Sequence, residues 1–309
     1  MVCERVIVGE ASEFPLNGML TLPEDCTAPV PALVMVHGSG ASNMDEKVMK
    51  LTPFKDLAEG LAAHGIATLR YDKRSFAHGR KLLKRYGSEL TVKEEVIDDA
   101  LLAVQMLKSD PRVDPRRVHV LGHSMGAMLA PRIDAEGAGA RGLIMMAGTP
   151  YRLEDIVLRQ LKQGGAAASP LRLIARLEDR LFSGKFDGLY DLDDETAKRK
   201  RFAGGTTLYY FKEMGRRTAA DYLLESDKPV LIMQGGKDFQ VLAQDDFVQF
   251  QRLLVGRENT SYKLYPELNH CFVEGLYDDI LKASKEYGTE RHIGERVIAD
   301  IAAFVHGCA

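Results

Sequence analysis

A chain of 309 residues with 45% apolar and 28% charged residues can bury a sizeable core, as one large α/β domain with an insertion or as two smaller domains. Its net charge of −3 excludes a general attraction to nucleic acid or to an anionic membrane surface, so the expected partner is a small or neutral molecule. Glu4 and Arg5 interrupt the start before any apolar run of signal-peptide length, and no stretch reaches the roughly 18 apolar residues of a membrane span, which predicts a cytoplasmic protein.

In chain order, "ERVIVG" and "NGMLTLP" predict two early strands paired as a hairpin. "PALVMVHGSG" is a continuous apolar run of the kind found in strands buried on both faces. "PFKDLAEGLAAHG" places Phe54, Leu57, Leu61 and Ala62 on one helical face, with Gly65 as a stop. "IATLRYD" reads as a strand. The next helix, "TVKEEVIDDALLAVQMLKSDP", repeats apolar residues at steps of three and four, with Thr91, Glu94 and Glu95 as its start and Pro111 as its stop. "VHVLGHSMGAM" is a strand running into a helix over about Met125 to Ala135, followed by the strand "GLIMMAG".

Residues 151–228 break this alternation. They carry helical patterns such as Leu171, Ile174, Leu177 and Leu181 and no clear buried strand, which predicts a helical insertion. Its charges nearly balance, and "KRKR" (Lys198 to Arg201) reads as part of a solvated helix and not as a nucleic-acid patch. "KPVLIMQGGKD" and "SYKLYPELNH" supply two more strands, with a helix around Asp245 to Leu254 between them and a last helix over about Gly294 to Phe304. Strands alternating with helices predict a parallel sheet covered on both faces. The core is then 1–150 with 229–309, and 151–228 is a helical cap. Cys3, Cys26, Cys271 and Cys308 are scattered, with no C-x-x-C pair and no histidine at metal-ligand spacing. Free thiols are expected, with no metal site and no disulfide framework.

The chemistry centres on "GHSMG". A hydroxyl that attacks a carbonyl must stand above the sheet at a sharp strand-to-helix turn, where close neighbours must be small; Gly122 and Gly126 flank Ser124 there. Serine needs a base, and of the eight histidines His270 is best placed, in a loop after the last strand and downstream of Ser124. His292 and His306 lie in or near the final helix, and His123 is expected to point elsewhere. The base needs a carboxylate, and Asp238 stands at the carboxyl edge of its strand; Asp245 and Asp246 are already explained as helix-start residues. Two donors must hold the developing oxyanion: the Met125 N–H and, from "HGSG", the Ser39 N–H, with Gly38 and Gly40 allowing close backbone approach.

Ser124, Asp238 and His270 in that chain order, with "HGSG" upstream, resemble the α/β-hydrolase superfamily over nearly the whole chain. "HGSG" followed by "PFKDLAEGLAAHGIATLRYDKRSFAHG" is similar to bacterial carboxylesterases related to dienelactone hydrolase and to S9 peptidase-like hydrolases. The group's Arg-Tyr-Asp-Lys-Arg segment is here Arg70 to Arg74; Ser75 stands where a Gly usually follows. Asp72 and Arg74 are expected to pair and hold the oxyanion loop. The resemblance implies a mostly parallel eight-stranded sheet, a helical lid after strand 6, no cofactor, and hydrolysis of a small-molecule carboxylic ester through an acyl-enzyme. Tyr209 and Tyr210 of the lid are candidate substrate-binding residues beside Gly38 and Gly40. A peptidase, amidase or thioesterase on the same triad, or a non-catalytic binding protein on this fold, are the alternatives, and a homo-oligomer stays open.

Overall fold

The computed structural model describes residues 1–24, 26–166, 180, 182–202, 205–277 and 279–308. The hairpin forms as β1 (Val2–Val8) and β2 (Leu16–Leu22), antiparallel in register from Val2 opposite Leu22 to Val8 opposite Leu16. Then come β3 (Val30–Val36), α1 (Pro53–Ala63), β4 (Ala67–Tyr71) and α2 (Arg74–Tyr86). A wide helical turn over Lys93–Ile97 leads into α3 (Asp98–Ser109), followed by β5 (Val113–His123), α4 (Met125–Ile133) and β6 (Leu143–Met146). The described part of the segment before the next strand is helical: α5 (Leu153–Ala166), α6 (Asp194–Arg199), α7 (Leu208–Met214) and α8 (Ala219–Leu224). The chain closes with β7 (Val230–Gly235), α9 (Val248–Leu253), β8 (Thr260–Tyr265), α10 (Ala283–Glu286) and α11 (Glu295–Gly307).

The eight strands form one sheet in the order β1-β2-β4-β3-β5-β6-β7-β8. Pairing is antiparallel at β1/β2 and β2/β4 and parallel from β4 through to β8. The continuous apolar run in β3 has its expected cause: Leu33 and Met35 pack with Phe54 and Leu57 of α1 and Ile298 and Ile301 of α11, while Val34 and Val36 pack in the opposite layer with Val104 of α3 and Leu129 of α4. Burying each such side chain contributes about 2 kcal/mol. Both faces are therefore covered, and the loops at the carboxyl ends of the central strands remain to build a site.

The predicted helical face of Leu171, Ile174, Leu177 and Leu181 lies outside the described residues. Helix α2 was not expected from the sequence. Only Arg74 and Leu82 of its thirteen residues are buried, and a non-helical His78 (φ −134°) interrupts it, so no apolar period marks it. Arg74 does not pair with Asp72; its guanidinium forks onto the buried carboxylate of Asp99 in α3. Asp72 does hold the loop after β3, by accepting from Met44 N–H at 2.9 Å. Lys198 sits on the short helix α6 between the carboxylates of Glu89 and Glu195 and over the ring of Tyr209, with its side chain only 15% exposed. The solvated helix expected of "KRKR" therefore holds for the exposed Arg199 but not for Lys198, and the helix ends before Lys200 and Arg201.

Candidate active site

Ser124 sits between β5 and α4 with φ 53° and ψ −118°, a strained conformation for a residue with a Cβ. Sterics hold it there. A Cβ on Gly122 would come within 2.1 Å of the Gly126 carbonyl oxygen, and one on Gly126 within 2.1 Å of the Val36 carbonyl oxygen. Both positions are closed to any larger residue, which is why the turn reads Gly-x-Ser-x-Gly. Ser124 N–H donates to Met146 O at 2.9 Å, tying the turn to β6. Met125 is the first residue of α4, so its N–H belongs to the turn whose donors have no partner within the helix. Glu46 and Ala147 also have positive φ (50° each); Glu46 contacts His123, and Ala147 lines the same cavity as Ser124.

His270 and Asp238 come together from loops after β8 and β7. The His270 Nδ1–H donates to Asp238 Oδ2 at 2.7 Å, and both side chains are buried. That bond leaves Nε2 as the bare nitrogen, the tautomer a general base requires. Asp238 is saturated: Gln234 Nε2 donates to Oδ2 at 3.0 Å, and Gln240 and Val241 N–H donate to Oδ1 at 2.7 and 2.9 Å. Gly235 and Gly236 permit the loops to meet, because a Cβ on either would strike the backbone of Leu268 or Pro266 at about 2.5 Å. Asn269 is anchored to the buried Glu286 at 2.6 Å and accepts from Cys271 N–H, which fixes the histidine loop from behind. Asp246 serves elsewhere: it accepts from Thr149, from Leu242 N–H and from Arg159 of α5.

His123 indeed points away from the turn, into a buried group that sequence reasoning did not foresee. Its Nε2–H donates to the His270 carbonyl at 2.8 Å, its ring lies 4.7 Å from that of His270, and its Nδ1 stands 3.0 Å from Glu46 Oε2. The histidine loop is thereby fastened to the residue preceding Ser124. Glu46 Oε1 accepts from Gly38 N–H at 2.7 Å. Burial alone would lower the pKa of His123; the Glu46 carboxylate and the His270 carbonyl outweigh it and raise it above the ordinary histidine value. Burial likewise works against the charge on Glu46, yet His123 and the Gly38 N–H hold its pKa below the usual carboxylate value. His37, by contrast, is pushed down to about 4 by burial and is neutral at pH 7, with Nε2 donating to Asn43 O.

The loop after β3 lies against the serine: a Cβ on Gly38 would stand 3.1 Å from Ser124 Cβ. Two cavities meet at Ser39 and Met125. One, of about 60 Å³, is lined by Ser124, Thr149, Gln160 and Gln240; the other, of about 350 Å³, by Gly40, Glu95, Tyr210 and Phe211. Tyr210 thus faces a cavity that also includes Gly40, whereas Tyr209 is half-buried beneath the ammonium of Lys198 and lines neither. Among the described residues no group of three His, Cys, Asp or Glu is arranged to hold a metal ion. No helix among them is long and apolar enough to cross a membrane.

Residues 33–279 match the model of the alpha/beta hydrolase family. The chain belongs to that family. This hydrolase is 37% identical over 299 residues to the esterase EstD of Thermotoga maritima, an alignment covering 96% of this chain and 67% of that protein. Its fold is shared with Est1E from Butyrivibrio proteoclasticus (TM-score 0.59, 18% identity, 98% of both chains) and with an esterase from Pyrococcus furiosus (TM-score 0.59, 17% identity, 99% of this chain and 91% of that one). The hydrolase residues whose place in the site sequence reasoning missed are Glu46, Lys73, Glu95, Gln234 and Glu286, with Glu95 reading only as a helix-start residue and Lys73 only as part of the Arg70 to Arg74 segment. All are buried, and a charge or amide in a one-dimensional pattern reads as solvated unless its partner is known. The one available signal was Gln234, a polar residue inside the apolar run "VLIMQGG".

Proposed function

We propose that this chain is a carboxylesterase-type serine hydrolase acting through an acyl-enzyme. Ser124 Oγ attacks the ester carbonyl carbon while its proton passes to His270 Nε2. The carbonyl oxygen becomes an oxyanion held by the N–H groups of Ser39 and Met125, the latter helped by the positive end of α4. Asp238 keeps the imidazole oriented and stabilises the imidazolium. The bond to the alcohol oxygen breaks, and the alcohol leaves with the proton from His270. Water then attacks the acyl carbon by the same route, releasing the carboxylic acid and free Ser124.

The observation that carries this reading is the 2.7 Å contact between His270 Nδ1 and a saturated, buried Asp238, in a loop fastened to the turn that holds a strained Ser124. The name of the 37% identical relative, an esterase, supports ester hydrolysis. We further propose a division into a core of 1–150 and 229–309 and a lid of 151–228, supported by the contact of Tyr210, which lines the larger cavity, with Glu95 of the core. The substrate is a small-molecule ester with one short arm, sized to the smaller cavity, and the protein works in the cytoplasm.

Short-chain p-nitrophenyl esters should be hydrolysed, and Ser124→Ala should lose about 10⁴-fold or more in kcat/KM and all labelling by a fluorophosphonate. Unchanged turnover in that variant would overturn the assignment, and faster turnover of matched amides than of esters would replace the esterase by an amidase.

A further inference from the structure

The loop after β3 carries a cation that the mechanism above does not use. Lys73 lies between β4 and α2, only 2% exposed, and its Nζ donates to the Gly38 carbonyl oxygen at 3.0 Å. That oxygen belongs to the same peptide unit as the Ser39 N–H. In a planar trans peptide the C=O and N–H point in opposite directions, so a cation seated on the oxygen turns the N–H away from itself, and Ser39 lines the cavity that also holds Ser124. An ammonium on the carbonyl also draws electron density through the amide and makes its N–H a stronger donor. The preceding peptide is held in the complementary sense, with Gly38 N–H on the carboxylate of Glu46.

The ammonium has its own support. Glu95 Oε1 stands 3.4 Å from Lys73 Nζ, and Glu95 Oε2 accepts from Tyr210 OH at 2.6 Å. Tyr210 belongs to α7, in the segment between β6 and β7, and its hydroxyl lies 3.8 Å from Met125 Sδ. A line of contacts thus runs from α7 through Glu95 and Lys73 to the Ser39 peptide, and touches the other donor residue on the way.

We infer that Lys73 is a positioning residue of the oxyanion hole, acting through the Gly38–Ser39 peptide, with Glu95 and Tyr210 holding its ammonium in place. The inference rests on the serine-esterase reading. Burial lowers the pKa of Lys73, and the carboxylates of Glu95 and Glu46 partly offset it. The groups that face it are Glu95 from the turn before α3, Glu46 from the loop after β3, His37 at the end of β3, and Tyr210 through Glu95. Its charge is thus lost on the alkaline side at a lower pH than that of a solvated lysine.

The test is steady-state kinetics on a short-chain ester with Lys73→Met and Glu95→Gln. Lys73→Met should lower kcat by about 10- to 100-fold, somewhat less than loss of a whole oxyanion donor, with KM within about twofold. Its affinity for a trifluoromethyl ketone, which forms an oxyanion adduct, should fall by the same factor. The alkaline decline of kcat in the parent should vanish in Lys73→Met and move to lower pH in Glu95→Gln, since removing the carboxylate makes the ammonium easier to deprotonate. A folded Lys73→Met with unchanged kcat, or with a raised KM alone, overturns the inference. If that variant does not fold, an unmoved alkaline limb in Glu95→Gln overturns it. Failure of the underlying reading is a separate result, since it appears as activity retained in Ser124→Ala.

Discussion

The two loops that frame Ser124 are held by different physics. The turn after β5 is fixed by contact: Gly122 and Gly126 bring backbone against backbone at distances where no Cβ fits, and the strain at Ser124 is sustained by that packing. The loop after β3 is fixed by charge. Glu46 takes its Gly38 N–H, Lys73 its Gly38 carbonyl, Asp72 its Met44 N–H, and Arg70 reaches Asp45 at 2.9 Å. A sterically locked serine stays in place at any pH, whereas a loop pinned by buried ions can respond to protonation. The two devices suit the parts proposed for them: an attacking serine needs a position, while oxyanion donors need a direction and a field.

Three substitutions separate the devices. The largest effect is expected from Gly126→Ala, whose methyl has only the Val36 and His37 carbonyls to meet: a loss of about 3 kcal/mol in urea unfolding, independent of pH between 5 and 9, with esterase activity falling alongside. Glu46→Gln should cost less, about 2 kcal/mol, and should depend on pH. The lowered pKa of Glu46 gives stability that is present above its unfolded value of 4.5 and lost as pH falls through the folded one. The raised pKa of His123 gives stability that is complete below 6.5 and lost as pH rises through its folded value. The difference in Tm between parent and variant should therefore be widest between these two values and narrow at alkaline pH. A difference that is flat with pH would mean that this pair is not ionised. Asp45→Asn, at the half-exposed outer edge of the same loop, should cost only about 0.5 kcal/mol, and less at high salt. A large effect there would show that the loop depends on its rim and not on its buried pins.

The contrast also explains which parts were legible in the linear chain. The turn could be read because its pattern is consecutive: four residues of strand, a Gly-x-Ser-x-Gly and a helix follow one another, and although Gly122 meets Gly126 within the motif, the Val36 carbonyl that demands Gly126 comes from a distant strand. Asp238 and His270 could be singled out because each follows a predicted strand at the carboxyl edge, β7 as a fully buried apolar run and β8 as a mostly exposed edge strand. The helix start at Thr91 also held, with Thr91 N–H and Oγ1 both on Glu94 Oε2. Its neighbour Glu95, read as part of that same start, instead turns inward to Lys73 and Tyr210. The same blindness produced the Asp72–Arg74 expectation, since adjacency in sequence suggested a pair where the fold supplied Asp99 and Met44 as the partners.

The amino-acid sequence by itself determined the alternation of strand and helix, the sheet buried on both faces, and the chain order of Ser124, Asp238 and His270, because periodicity and turn chemistry are short-range and repeat along the chain. Only the tertiary structure decided which charges are buried and what they hold: Glu46 beside His123, Lys73 on the Gly38 carbonyl, Glu95 beneath Tyr210. Those pairings join residues from different strands and loops, and a charge becomes a strong positioning device only where folding removes water and brings its partner within about 3 Å.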